Sequence, residues 1–260
     1  MNNVLIPTSR ISARVLNTPI DVLDWSTAIE RLTSWGGNRK SAIVCICNVH
    51  MTITATQNIA LAKVLEAADM VTPDGAPIAW ALRRAGFRGQ ERINGPDLMW
   101  RYLSEAERLG QVVSFYGGQE HTLISLIAAI KRTFPGLKIG CQISPPYRPL
   151  TLVEENSYVD QINSASTAVL FVGLGCPKQE LWMSAHRGDV RAVMVGVGAA
   201  FDYHAGILKR APIWMQKSGL EWFYRLLAEP RRLWKRYLIT NTLFILGMIQ
   251  YGFRAQPMDD

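Results

Sequence analysis

Short apolar runs rich in Val and Ile recur along the chain, and each ends abruptly at a residue that cannot continue a strand. SAIVCIC stops at Asn48, MVT at Pro73-Asp74-Gly75, QVVSFY at Gly117-Gly118 and LKIGCQI at Ser144-Pro145. TAVLFV stops at Gly173 and RAVMVGV at Gly198. Runs this continuous suit strands covered on both faces, which is the habit of parallel sheets. The intervening segments carry helix signals. Asp24 caps a helix through Trp35, a helix is expected over 56–68, and another runs from Ala76 to Ala85. Gly95-Pro96-Asp97 opens a helix through Leu109, Gln119 starts one to Thr133, and Thr151 with Glu154 has capping-box spacing for one ending at Ala165. ARVLNTPIDVL reads as a hairpin turning at Asn17 to Pro19. Alternation of this kind predicts an α/β fold: a Rossmann-like, mostly parallel sheet with helices on both faces.

After Pro212 the strand signals cease and the chain becomes helical, basic and aromatic, so the expected division is an α/β domain over 1–211 and a helical appendage over 212–260. The 260 residues hold 28 Lys and Arg against 21 Asp and Glu, a net charge of +7. Between Lys209 and Arg236 stand eight basic residues and two acids, so the excess is local and predicts an anionic partner there. With 48% apolar and 19% charged residues, a disordered chain is excluded. The uncharged run from Tyr237 to Phe253 is about seventeen residues long and contains Thr, Asn and Gln, short of a membrane span. The first fifteen residues lack the apolar core of a signal peptide. The four cysteines form no C-x-x-C pair and the four histidines no H-x-x-x-H, so neither a metal site nor a disulfide framework is expected. These features predict a cytoplasmic, reducing location with peripheral membrane attachment.

In open α/β sheets ligands gather beyond the carboxyl ends of the strands. The residues there are Asn48 and His50, Asp74, Gly117-Gly118, Cys176 to Gln179, and Gly198 to Asp202. Each glycine alone is an ordinary turn residue; together they suit a nucleotide or sugar-phosphate crevice, because glycine lets backbone N–H groups approach a phosphate. A dinucleotide fingerprint fails, since Phe201 occupies the third position of GVGAAF, where a small residue is needed. Asp74 reads either as a base for a substrate hydroxyl or as an Asx-turn residue. Arg92 precedes a helix start and Lys178 and Gln179 open another; each faces the crevice or is a plain surface position. His50 and His204 read as structural. In the tail, Arg232, Lys235 and Arg236 stand at i, i+3 and i+4, with Arg225 before the Glu229-Pro230 break and aromatics interleaved. That pattern suits a lipid diphosphate or an anionic membrane surface better than nucleic acid, since the uncharged apolar run follows it. A simply packed basic helix is the plain alternative.

Seven ordered blocks, NVH, ADMVTPDGAPIAW, ERINGPDL, FYGG, VGLGCPKQE, GVGAAFDYHAGILKRAP and GLEWFYRLLAEPRRLWKRY, make the chain resemble the WecG/TagA/CpsF family, glycosyltransferase family 26, from about Ser12 to about Tyr237. The resemblance implies an inverting, metal-independent hexosyltransferase. It would move a hexose or N-acetylhexosamine, of glucose or N-acetylmannosamine type, from a UDP-sugar to a polyprenyl-diphosphate-linked sugar during surface or exopolysaccharide synthesis. It implies Asp74 as general base, Arg92 in the active site, Gln179 at the donor sugar, and Arg225, Arg232 and Lys235 at the diphosphate. With the strand-end reading, Asn48, Gly117, Gly118, Gly198 and Asp202 complete the expected binding set. Two departures stand out. Ile46 replaces a threonine found in many members, and Lys235 cannot make the bidentate fork of an arginine. No D-x-D occurs, so a divalent-ion clamp and any other cofactor are not expected. Self-association is left open. The competing reading is a non-catalytic nucleotide-sugar-binding protein at the membrane.

Overall fold

The computed structural model describes residues 10–250 and 255–257. Residues 1–9, on which most of the signal-peptide reading falls, and the end of the uncharged run, 251–253, lie outside the described residues. The chain opens with a hairpin, β1 (Ser12–Val15) and β2 (Thr18–Asp21), antiparallel with Val15 opposite Thr18. Asp24 then accepts from Thr27 N at 2.8 Å and starts α1 (Trp25–Gly37) as its spacing predicts. β3 (Ala42–Cys47) follows, ending at Asn48.

Where the sequence suggests one helix over 56–68 there are two, α2 (Val49–Gln57) and α3 (Ile59–Ala67). Asn48 and Asn58 cap them in the same way, each taking the N–H three residues on. The first was missed because Thr and Ile crowd it, and β-branched residues argue weakly for helix. Buried Met51, Thr52, Ile53 and Ala55 override that preference.

β4 (Met70–Pro73) and α4 (Ala76–Arg84) flank the Asp74 turn. Asn94 caps α5 (Gly95–Leu109), which ends at Gly110 in the left-handed region. Then come β5 (Val112–Gly117), α6 (Glu120–Thr133), β6 (Lys138–Ile143) and α7 (Leu152–Ser164), the last with the full Thr151–Glu154 capping box. β7 (Val169–Gly173), α8 (Lys178–Ala185), β8 (Val193–Gly196) and the short α9 (Ala200–His204) complete the alternation.

β3 to β8 form one six-stranded parallel sheet in the order β4-β3-β8-β7-β5-β6. The period of two divides its side chains between two cores. Ile43, Cys45 and Cys47 face the hairpin, α2, α3 and α8, whereas Ala42, Val44 and Ile46 face α1 and α5. The mostly parallel α/β sheet with helices on both faces, as the apolar runs predict, is therefore what the chain forms.

Between Pro212 and Gln250 the chain is helical: α10 (Ile213–Lys217), α11 (Glu221–Ala228) and α12 (Pro230–Gln250). Among the described residues no helix is long and apolar enough to cross a membrane. α12 packs on α2 and buries Phe244 and Met248 in the same core as Ala13, Val15 and Leu16. The short β9 (Gln256–Pro257) pairs with β1, so the chain returns to its starting hairpin.

Gly117 illustrates a close approach. Its φ is +107°, and a Cβ placed there would lie 2.7 Å from the carbonyl carbon of Gly173 on β7. The neighbour is backbone and cannot swing aside. Gly117→Ala is expected to lower unfolding stability by about 3 kcal/mol, combining left-handed strain with overpacking. A urea titration checks this, and an unchanged midpoint would contradict it.

Candidate functional site

A cavity of about 1080 Å³ opens at the carboxyl ends of β4, β3, β8 and β7 and is walled on its other side by α11 and α12. Four neighbouring strands thus deliver Asp74, Asn48, the Val197–Ala200 turn and the Gly173–Cys176 turn to one place. Six basic side chains line it, Arg83, Arg92, Lys217, Arg225, Arg232 and Arg236, against three carboxylates, Asp74, Asp202 and Glu221. A surplus of cations in a part-enclosed space favours a bound anion.

Asp74 is fixed by its backbone, since its N–H donates to Cys47 O at 2.8 Å and to Thr72 O at 3.1 Å. Gly75 follows with φ +93° and lets the chain turn at once into α4. The Asp74 carboxylate is turned toward Asn48 and Arg92. Arg92 owes its place to its neighbour: Ile93 N donates to Pro73 O at 2.9 Å, and Ile93 O accepts from Thr72 Oγ1 at 3.2 Å. Buried Gln90 ties the same loop to both backbone groups of Leu23. Arg92 Nε then stands 3.8 Å from Asp74 Oδ1, while Arg92 Nη2 donates to Glu221 Oε2 of α11 at 2.5 Å.

Burial raises the proton affinity of Asp74 above the ordinary aspartate value, and the charge of Glu221 adds to this; Arg92, Arg225 and a hydrogen bond from Asn48 pull the other way. Burial also raises Asp202, opposed by Arg232 and Arg225. His50, on the cavity wall, is held down to about 4 by burial and by Arg236, and so is neutral at pH 7. His204 stacks on Trp100 with ring centroids 4.1 Å apart and bonds Pro96 O, the structural role its sequence context suggests.

Gln179 is 3% exposed and spends its amide inward. Its Oε1 accepts from Gly175 N and from Gly198 N, both at 3.1 Å, so one oxygen fastens the two glycine turns together. Its Nε2 donates to Glu180 Oε1 at 2.7 Å. Glu180 is fully buried, its Oε2 has no partner among the described residues, and burial pushes its pKa up to about 7 despite the hydrogen bond from Gln179. Sequence reasoning passed over Glu180, because an acid in the first turn of a helix ordinarily faces solvent and only packing reveals its burial.

The appendage contributes Arg225, Arg232 and Arg236. Arg225 lies over the Tyr203 ring at 5.6 Å. The Nε–H groups of Arg225 and Arg236 are buried with no acceptor among the described residues, and both side chains line the cavity. Of the residues expected at a binding site, Asn48, Asp74, Arg92, Gln179, Gly198, Asp202, Arg225 and Arg232 line the cavity. Gly117, Gly118 and Lys235 are not among its lining residues. β5 lies one strand beyond β7, and its glycines serve packing: Gly117 faces the Gly173 backbone and Gly118 faces Phe201. Lys235 is exposed, and Arg236, one residue on, takes the inward place. Ile46 also lines the cavity and presents an apolar surface there instead of a hydroxyl. Among the described residues no group of three His, Cys, Asp or Glu side chains is placed to hold a metal ion.

Residues 13–257 match the glycosyl transferase WecG/TagA/CpsF family. Two curated relatives are similar over most of their length, and both are N-acetylglucosaminyldiphosphoundecaprenol N-acetyl-beta-D-mannosaminyltransferases. The Bacillus spizizenii protein is 34% identical over 207 residues, which is 79% of this chain and 78% of the relative. The Bacillus subtilis protein is 32% identical over 198 residues, 76% of this chain and 75% of the relative.

Glu180 gives the site a measurable signature. A buried carboxyl whose pKa rises from 4.5 to about 7 binds a proton more tightly when folded. Its contribution is therefore full below about pH 4.5 and is lost as pH climbs to about 7, a change of roughly 3 kcal/mol. Glu180→Gln is expected to remove that slope, so wild type should lose more stability than the variant between pH 5 and 8 (about the span of the titration). Parallel slopes in paired denaturation curves would exclude it.

Proposed function

The chain belongs to the WecG/TagA/CpsF glycosyltransferase family, and from that premise we propose that it moves a hexose or N-acetylhexosamine from a UDP-sugar to a polyprenyl-diphosphate-linked sugar, with inversion. The observation that carries this reading is the Asp74 carboxylate, with its raised proton affinity, at the edge of a cavity rich in guanidinium groups. A base must be ionised yet hold a proton well, and burial supplies the second property.

Asp74 takes the proton from an acceptor hydroxyl. The freed oxygen attacks the anomeric carbon on the face opposite the UDP, the bond to UDP breaks, and the new glycosidic bond has inverted configuration through an oxocarbenium-like state. Negative charge grows on the departing diphosphate. Arg225, Arg232 and Arg236 offset it, as fixed donors do in a part-enclosed site. The paired turns at Gly175 and Gly198 offer backbone close to the donor, and Gln179 holds them in register. The relatives' activity makes UDP-N-acetylmannosamine the first donor to try and an N-acetylglucosamine-diphospholipid the first acceptor. Exopolysaccharide or other surface-polymer synthesis is the setting such a product suits.

The test is a panel of UDP-sugars against a lipid-linked acceptor. One donor is expected to give product, and Asp74→Asn to lower kcat by about 10²–10⁴. Turnover equal to wild type would remove Asp74 from the base role, and no product with any donor would favour the binding-protein reading. Chelator is expected to leave the rate unchanged; loss of turnover that manganese restores would overturn the metal-free scheme.

For the lipid substrate we place the appendage peripherally on the cytoplasmic membrane face. Trp214, Leu227, Trp234, Leu238, Leu246 and Ile249 are all more than half exposed on α10 to α12, the first three among basic residues and the last three in the uncharged run that follows. Aromatic and aliphatic side chains so displayed suit shallow insertion among anionic headgroups. Replacing both Trp234 and Leu238 by Glu is expected to reduce co-sedimentation with anionic vesicles at least about fivefold, since each contributes roughly 1–2 kcal/mol of apolar burial. Binding equal to wild type would refute the assignment, and high salt should weaken the wild type only in part.

A further inference from the structure

Arg92 is shared between two carboxylates, and the sharing is uneven. Its Nη2 is hydrogen-bonded to Glu221 at 2.5 Å, whereas its Nε stands 3.8 Å from Asp74, outside hydrogen-bonding range. The two acids come from different parts of the chain, Asp74 from the end of β4 and Glu221 from the first turn of α11. A guanidinium released from Glu221 has Asp74 as its nearest carboxylate and would close on it to about 2.8 Å, the usual distance for such a pair. A close pair would occupy the lone pairs that must accept the substrate proton. It would also lower the proton affinity of Asp74 by about one to three pH units.

We propose that Glu221 is a positioning residue of the catalytic site: by holding the Arg92 guanidinium from the appendage side, it keeps Arg92 near Asp74 without letting the two close into a pair, so that Asp74 remains a free and effective base. The proposal rests on Asp74 being the base and adds a residue that acts through Arg92. It also gives the appendage a second task. Besides bringing cations to the diphosphate, α11 brings the one acid that spares the base, so base strength depends on the appendage being docked. Docking is itself held by Arg210, which bonds Asp97 at the start of α5 and Gln216 on α10.

Among the described residues the charged and titratable groups that face Asp74 are few. Arg92 and Glu221 have been described; Arg225 of α11 adds a cation, and Asn48 donates a neutral hydrogen bond. Cys47 of β3 is pushed up to about 12 by burial and stays an uncharged thiol. Arginines do not titrate in the working range. Burial and Glu221 both raise the proton affinity of Asp74, so removing the Glu221 charge and freeing Arg92 shift it in the same direction, downward.

The experiment is the pH dependence of kcat for wild type, Glu221→Gln, Glu221→Ala and Glu221→Asp in the lipid-acceptor transfer assay. In the Gln and Ala variants kcat is expected to fall about three- to tenfold at neutral pH, because a weaker base transfers the proton less readily. The acid limb is expected to move down by about one pH unit, with donor KM within about twofold of wild type. Two neutral variants mean that the result does not depend on one of them folding. Glu221→Asp keeps the charge and is expected to hold the acid limb near its wild-type position. An acid limb that stays put in both neutral variants overturns the proposal, as does a loss confined to KM or an equal displacement in Glu221→Asp. Failure of the base assignment is told apart by Asp74→Asn. If that variant turns over normally, the reading beneath has failed; if it is inactive while the Glu221 profiles match wild type, only the role of Glu221 has.

Discussion

At the carboxyl ends of β7 and β8 two loops leave the sheet with their N–H groups directed at the same atom, Gln179 Oε1, 3.1 Å from each. That shared oxygen sets how far apart the two turns stand and so shapes the floor of the cavity. The amide cannot rotate freely, because its nitrogen is engaged by Glu180. Nor is there room to reposition it: a Cβ on Gly196 would lie 2.8 Å from Gln179 Nε2. Both strands around it are buried on both faces and paired in register, Val172 with Gly196, so the turns inherit the rigidity of the sheet. The family resemblance puts Gln179 at the donor sugar. In this chain its amide bonds Gly175, Gly198 and Glu180, so it holds the two loops in register while lining the cavity.

Electrostatics in the cavity are a contest between burial and guanidinium charge. Where arginine is close and well oriented it wins: Asp97, bonded to Arg210 and Asn94, is held below the ordinary aspartate value although it is partly buried. At Asp74 burial wins, because Arg92 is farther away and largely engaged by Glu221. One residue type thus serves two purposes within one site. Arg210 fastens the appendage to α5, while Arg225, Arg232 and Arg236 face the cavity. Asp97 is an anchor for the same reason that Asp74 is not.

The appendage is wall and core at once. Phe244 and Met248 are buried with the hairpin residues, and Gly247 lies so near Leu16 that a Cβ would come within 2.8 Å of its Cδ2. Arg232 and Arg236, on the same helix, line the cavity, while Trp234, Leu238 and Leu246 remain exposed. One helix therefore divides its circumference among core, cavity and solvent. That division explains why its basic residues do not all face one way.

Much of the fold was legible because it rests on local cues. Apolar runs ended by glycine or proline marked the strands, Asp24 and Thr151 marked helix starts through bonds that span three residues, and Gly95-Pro96-Asp97 marked another. The same locality placed Asp74 and Arg92, whose turn and helix-start contexts are written in a few consecutive residues. α2 escaped because its β-branched residues argue against helix until packing is known. Lys235 and Arg236 could not be told apart in the sequence, since both lie within one turn of Arg232, and the rotation that docks Phe244 and Met248 decides which points inward. Glu221 was invisible for a sharper reason: its bond to Arg92 joins residues 129 apart, and no periodicity reaches that far. The amino-acid order determined the strands, the caps and the sheet whose ends collect the ligands. Only folding decided which helix faces close over them, because that depends on side chains meeting across the whole chain in one packed core.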